Sequence, residues 1–307
     1  MIMGYILITG TGGFIGSNLL HYIRRQYPLD LEKIVLLSDH PPADIKSISP
    51  RNYRFTVDDF LIKGVDKLET VIHLGAFIPK DHSQANWKDE NARNIINTEH
   101  LVKNLPSVPE RFIYISTTDV YMKGNGIIDE NNTTSPLTFY GKCKLKCEDL
   151  IIHFCNQYQV IPQILRLGNI YGTGERAFKK LIPETIRHLL NGESPIVYGT
   201  GEERRNFYHV LDCVTNIWIA SKLTEYPGPV NIVSSKSVQV KEIVEMLMHI
   251  SKASIPVQFI NTPTKQYDVV FDNSRMIKYF YPEKVDLYKG LAAEFEYAKS
   301  NQQQTLL

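Results

Sequence analysis

An apolar run from Tyr5 to Ile8 breaks directly into Thr9-Gly10-Thr11-Gly12-Gly13-Phe14-Ile15-Gly16, and the apolar spacing of Leu19, Leu20 and Ile23 that follows is helical. A strand, a glycine turn and a helix in immediate succession build a site for a pyrophosphate. Gly10 permits the tight turn, Gly13 lets the backbone approach the phosphates, and Gly16 lets the helix pack close on the strand. The ligand's negative charge then rests on the free N–H groups at the helix N-terminus. The placement of the glycines between strand and helix carries the inference, because the triplet alone is common.

A second apolar run, Lys33 to Ser38, ends at Asp39, about twenty residues beyond the last glycine. A carboxylate there accepts hydrogen bonds from the adenosine ribose and repels a 2′-phosphate. The residues that follow are His40, Pro41 and Pro42, with no adjacent cation. These features favour NAD over NADP. The bland alternative is that Asp39 only caps the next segment.

The 307 residues carry a formal net charge of +1, which argues against a nucleic-acid partner held by bulk electrostatics. No apolar run approaches the length of a membrane span. Met1 to Ile8 lacks a basic start and is read as a strand rather than a signal peptide. Four cysteines (Cys143, Cys147, Cys155, Cys213) lack a framework spacing, and a reducing cytoplasm is expected. Cys143 and Cys147 lie one helical turn apart with no further ligand nearby, so no metal site is expected.

Strand-like and helix-like segments alternate through the first half. After the first two strands come Tyr53–Val57, Thr70–Leu74, Arg111–Ser116 and Gln163–Leu167, and the clearest helices are Trp87–Leu105 and Tyr140–Gln157. Such alternation predicts an α/β fold, a doubly wound parallel Rossmann sheet with a smaller C-terminal α/β substrate-binding region. Residues 1–168 are expected to form the dinucleotide-binding part, with 209–233 returning to it through a helix at Val210–Leu223. Residues 169–208 and 234–300, including a helix around Val240–Ile250, are expected to form the substrate part. The polar tail Ser300–Leu307 is expected to be loose.

Two clusters could do chemistry. Tyr140-Gly141-Lys142-Cys143-Lys144 puts a phenol and an ammonium four residues apart, on one face if the helix begins near Tyr140. A lysine beside a tyrosine stabilises the phenolate, which suits a general base near neutrality. Alone, the pair fits any surface helix. Its company is Ser116-Thr117-Thr118-Asp119-Val120-Tyr121 at the C-terminal end of the fifth strand, the edge where open α/β sheets bind ligands. Hydroxyls there either hold a substrate oxygen or simply cap a turn. Asp58 or Asp59, just after the third strand, is placed to hydrogen-bond an adenine amine, and Asp59 with the adjoining Phe60 enters the cofactor set. His73 and His209 read as structural, and Trp87 and Trp218 as core or interface residues.

With these residues in order, the chain resembles the extended short-chain dehydrogenase/reductase family, in the branch of nucleotide-sugar epimerases, dehydratases and reductases. The likeness runs from Thr9 to beyond Asp272. Thr9–Gly16 resembles the cofactor loop, which implies Phe14 and Ile15 as cofactor neighbours. His73-Leu74-Gly75-Ala76 resembles the segment passing under the cofactor, which implies Leu74 and Ala76. Asn94-Ile95-Ile96-Asn97-Thr98 resembles Asn-Val-x-Gly-Thr, with Asn97 in place of glycine, and implies Asn94. Thr117 falls at the catalytic Ser/Thr position, with Tyr140 and Lys144 as the catalytic pair and Thr118 beside the substrate. Arg166-Leu167-Gly168-Asn169-Ile170-Tyr171-Gly172 resembles the segment whose asparagine, here Asn169, contacts the sugar nucleotide. Tyr198-Gly199-Thr200-Gly201 with Arg205-Asn206-Phe207-Tyr208-His209-Val210 resembles the stretch whose arginine grips the diphosphate. Arg205 fits that role, and Arg204 beside it is the alternative; a guanidinium offers paired donors that a lysine lacks.

The resemblance implies an NAD-dependent nucleotide-sugar 4-epimerase working through a transient 4-keto sugar, and a homodimer formed through the helices Trp87–Leu105 and Tyr140–Gln157. Dehydratases of this branch carry Asp-Glu after the catalytic threonine. This chain has Thr118-Asp119, so a 4,6-dehydratase is not expected, and Met122 replaces the usual glycine after Val-Tyr. An NAD(P)H-dependent 4-ketoreductase of a deoxysugar nucleotide would use the same residues. A non-catalytic dinucleotide sensor would keep the glycines without needing the tyrosine.

Overall fold

A computed structural model describes residues 4–122, 126–175, 178–262 and 267–305. Seven parallel strands form its central sheet: β1 (Tyr5–Thr9), β2 (Ile34–Leu37), β3 (Lys46–Ile48), β4 (Leu68–His73), β5 (Arg111–Thr117), β6 (Ile161–Leu167) and β7 (Val230–Ile232). Their spatial order is β3-β2-β1-β4-β5-β6-β7. The chain winds outward through β3, returns to place β4 beside β1, and winds the other way. The switch point therefore lies between the C-terminal ends of β1 and β4.

Both faces of the sheet are covered, which is why its strands read as continuous apolar runs rather than alternations. Ile6, Ile8, Ile34, Leu36, Ile72, Ile113 and Leu165 pack with Leu19 and Ile23 of α1 (Phe14–Gln26) on one face. The intervening Leu7, Val35, Val71, Phe112 and Ile164 pack on the other face with Phe60 of α2 (Val57–Ile62), Leu101 of α3 (Lys88–Lys103) and Ile151 of α4 (Phe139–Tyr158). Each such side chain contributes about 1.5–3 kcal/mol by leaving water.

Beyond β6 the chain builds a smaller layer from α5 (Leu181–Leu190), α6 (Val210–Ala220), α7 (Val240–Ser251), α8 (Ser274–Tyr279) and α9 (Leu287–Thr305). Of these, α6 returns to the sheet, placing Cys213, Val214 and Ile217 in the core beside α1. A three-stranded sheet of Asn169–Tyr171, Arg204–His209 and Ser237–Gln239 stands beside a second core of Tyr171, Ile186, Phe207, Leu247 and Leu291.

Two expectations are corrected. The third strand is Lys46–Ile48, not Tyr53–Val57. Arg51, Asn52 and Tyr53 lie in the left-handed region (φ 49°, 54° and 58°), and Thr56 starts α2. The half-buried ring of Tyr53 and the buried ring of Phe55 mimic a strand pattern, but Thr56 and Asp59 form a reciprocal capping box and fix a helix there. The tail is also not loose as far as Thr305. It completes α9, anchored by Leu291 and Phe295 in the second core and by Gln302 Nε2 donating to Asn191 Oδ1 at 2.9 Å. The last two residues of that tail, 306 and 307, lie outside the described residues.

Candidate active site

The glycine turn leaves β1 at Thr9 and enters α1 at Phe14. Gly10 has φ +75°, and a Cβ there would stand 2.6 Å from the backbone N of Gly75. A Cβ on Gly16 would stand 2.3 Å from the Gly10 carbonyl oxygen. These two glycines hold turn, helix and β4 exit together. Gly13 differs: the single protein atom within reach of a Cβ is Gly10 O at 3.4 Å, and its extended backbone caps α1 without a side chain. The first N–H groups of α1 are thus left facing an open corner, with no acidic residue in that turn. We predict that Gly16→Ala costs about 1–3 kcal/mol in thermal unfolding. Gly12→Ala, where nothing lies within 4 Å, should leave the transition unmoved.

Phe14 and Ile15 are half-buried against the sheet core. Asn18 Nδ2 donates to Phe14 O (2.9 Å) and Thr173 O (3.1 Å), tying α1 to the loop after Asn169–Tyr171. Asp39 is exposed two residues past β2, and Ser49 Oγ donates to its Oδ1 at 2.7 Å. Asp59 has both oxygens engaged, one by the Thr56 N–H at 2.9 Å and one by Arg51 at 3.1 Å. Asp58 beside it is exposed, and the Phe60 ring lies in the core edge-on to Phe55.

Leu74 and Ala76 leave β4 beside the glycine turn, on a segment fixed by a chain of hydrogen bonds. Thr9 Oγ1 accepts the Gly75 N–H at 2.9 Å and so donates its own proton to His73 Nδ1 at 2.7 Å. His73 then carries its proton on Nε2 and donates it to Thr98 Oγ1 at 3.0 Å, and Thr98 donates to Asn94 O at 2.7 Å. Burial, and secondarily Lys144, push His73 down to about 3, in keeping with a neutral ring. Asn94 itself clamps Phe77, accepting its N–H at 2.7 Å and donating to its carbonyl at 3.0 Å.

At the end of β5, Thr117 Oγ1 accepts the Asp119 N–H at 3.2 Å, which leaves its own proton to give away. Thr118, half-buried, opens the following turn. Opposite stands the first turn of α4, capped by Thr138 Oγ1 accepting the Gly141 N–H at 3.0 Å. A Cβ on Gly141 would lie 2.5 Å from Asp119 O, so this glycine lets α4 seat Tyr140 against the turn after Thr117. Lys144 follows one turn later, buried, with Nζ donating to Ile115 O and 4.4 Å above the Tyr114 ring.

Lys144 does not depress the phenol here. Burial raises Tyr140 above the ordinary phenol range, with Asp119 and then Cys147 adding to the shift. The ammonium is turned to Ile115 O and the Tyr114 face instead. Burial also pushes Lys144 down to about 8, opposed by Cys147 and Glu148.

On the small sheet, Asn169 pairs in register with Phe207, so by strand alternation Asn169 and Arg205 share a face. Asn169 Nδ2 donates to Asn206 O at 3.2 Å, and Arg205 Nη1 to Tyr267 O at 2.6 Å. Arg204 is exposed and turned to Ser237 O at 3.0 Å. A further buried group, Glu148 with Arg166, stands outside the roles that the sequence motifs assign. The available signal was an arginine inside the apolar run Ile164-Leu165-Arg166-Leu167, since a charge buried in a strand needs a partner.

Residues 6–232 match the sequence profile of the NAD dependent epimerase/dehydratase family. The chain belongs to this family. A dTDP-D-glucose 4,6-dehydratase of Dictyostelium discoideum is 27% identical over 271 residues; the match covers 80% of this chain and 62% of that protein. Among solved structures, a UDP-glucuronic acid 4-epimerase of Bacillus cereus in complex with UDP-glucuronic acid and NAD shares the fold at 23% identity. Its TM-score is 0.83, and the match covers 97% of this chain and 99% of that one. A UDP-N-acetylglucosamine 4-epimerase of Methanobrevibacter ruminantium shares it with a TM-score of 0.81 at 22% identity, over 98% and 100% of the two chains.

Proposed function

We propose that this family member is a nucleotide-sugar 4-epimerase that retains NAD and passes through a transient 4-keto sugar. The observation that carries the reading is the convergence of Thr117, Tyr140 and Lys144 on the end of β5, with β4 alone between that strand and the β1 that carries the glycine turn. The dinucleotide fits the residues present: uncovered N–H groups at α1, a Gly13 corner that a side chain would fill, and Asp39 oriented by Ser49 for ribose hydroxyls. When bound, NAD supplies the acceptor and donor of the hydrogen on sugar C4.

The chain's own residues handle protons and position. Tyr140, as phenolate, takes the proton of the 4-hydroxyl and later returns it. Thr117 gives its hydroxyl proton to the same oxygen. Lys144 holds the nicotinamide ribose, its ammonium steadied by the Ile115 carbonyl and the Tyr114 face. Leu74, Ala76 and Asn94 shape the floor of that site, with Phe14, Ile15, Asp59 and Phe60 on the dinucleotide side. Asn169, Arg205 and Thr118 hold the nucleotide sugar, so the 4-keto sugar can turn while its diphosphate stays anchored. Thr118 offers a hydroxyl where a 4,6-dehydratase needs an acid, which favours epimerisation over water loss despite the likeness to dehydratases.

Arg205→Ala should raise KM for the nucleotide sugar roughly tenfold to a hundredfold with little change in kcat, the value of one charge-assisted phosphate contact. An unchanged KM in initial-rate kinetics removes Arg205 from the diphosphate site. We further propose a homodimer through α3 and α4, supported by Trp87 and Ile96, which are 45% and 62% exposed. Four free, buried cysteines support a reducing cytoplasm. The deciding experiment incubates the purified protein with UDP-, GDP-, CDP- and dTDP-hexoses without added cofactor and identifies products by NMR. Formation of one 4-epimer supports the reading. Turnover only with NAD(P)H and a 4-keto sugar makes the protein a ketoreductase.

A further inference from the structure

Beneath α4 runs a buried chain of polar groups that the roles above do not use. Glu148 lies one turn beyond Lys144 and is 2% exposed. Its Oε1 accepts Ser116 Oγ and Arg166 Nε (3.0 Å), while Oε2 accepts Arg166 Nη2 at 2.7 Å. Arg166 Nη1 donates to the Tyr121 hydroxyl at 2.9 Å, which donates to Asn231 Oδ1 at 2.8 Å. One carboxylate thus joins the helix of Tyr140 and Lys144 to the residue before Thr117, to β6 three residues before Asn169, and through Tyr121 to β7.

We propose that Glu148 is the positioning residue of this reaction: it locks α4 onto the strand ends that carry Thr117 and Asn169, one helical turn from Lys144. The proposal rests on the reading of Tyr140 and Lys144 given above. A buried ion pair adds little stability over an apolar pair of the same volume, so the geometry it fixes is the better account of its presence. The groups facing Lys144 are His73 from β4, Tyr114 and the Ile115 carbonyl from β5, and Cys147 and Glu148 from α4 itself. His73 is neutral, which leaves Glu148 as the carboxylate among them.

Glu148→Gln keeps the shape and removes the charge, leaving Arg166 and Lys144 both cationic and buried. We expect kcat to fall roughly tenfold to a hundredfold with KM nearly unchanged, the signature of misplaced reacting groups. Lys144, read by carbon-13 NMR of labelled lysines without substrate, should titrate about one pH unit lower than in the wild type. Glu148→Asp restores the charge on a shorter arm and should return the titration but not the full kcat. Should Glu148→Gln not fold, the double variant Glu148→Leu with Arg166→Met refills the space with apolar volume and is read the same way. Wild-type kcat together with an unmoved Lys144 titration in a folded variant overturns the proposal. Absence of turnover in the wild type instead overturns the functional reading, and the NMR titration still judges the charge tie.

Discussion

Tyr140→Phe is expected to lower turnover about a thousandfold or more while leaving the fold and nucleotide-sugar binding intact. The ring is 7% exposed and sits in the first turn of α4, so phenylalanine keeps the packing. Among the described residues the hydroxyl makes no hydrogen bond to protein, so its removal leaves no partner stranded. On the proposed reading, what is lost is the group that takes the proton of the 4-hydroxyl and returns it. Steady-state kinetics with a thermal-melt control read both halves: a folded variant with near wild-type kcat would remove Tyr140 from the chemistry.

The second large effect is acid sensitivity from His73. In the folded protein its ring titrates at about 3, against about 6.5 when unfolded, because it is buried between Thr9 and Thr98 and faces Lys144. Above pH 6.5 neither state binds the proton and the stability is full. As pH falls from 6.5 towards 3 the unfolded chain takes up a proton that the native ring refuses, so stability declines. The displacement is worth about 5 kcal/mol in all, or about 1.4 kcal/mol per pH unit. Denaturant melts of the wild type and of His73→Asn between pH 7 and 4 isolate this contribution. The variant should be less stable at pH 7, yet show a flatter decline by about that slope. Parallel declines would show that His73 does not carry it.

Much of the frame was legible because its signals are local. The glycine turn, Asp39 at the end of β2 and the apolar runs of β1, β4, β5 and β6 each follow from a few adjacent residues. The third strand was not, because Lys46–Ile48 is three residues long and gains its place only by pairing with Val35–Leu37, while Tyr53 and Phe55 offered a better-looking pattern. For α9, polar residues after Tyr297 disguised a helix whose anchors, Leu291 and Phe295, face a core assembled from distant segments. The candidate site divides the same way. Tyr140 and Lys144 share a helix and a spacing, but the turning of Lys144 to Ile115 O and the grip of Glu148 on Ser116 and Arg166 are tertiary facts. A spacing rule places side chains on a face; it does not say what that face meets.

The most direct test of the epimerase account uses a nucleotide sugar carrying deuterium at C4 and the purified protein with whatever dinucleotide it retains. The account predicts co-purified NAD, conversion to the 4-epimer without added cofactor, and deuterium still at C4 of the product. An empty site, or label lost from C4, or conversion dependent on added NAD(P)H, contradicts it.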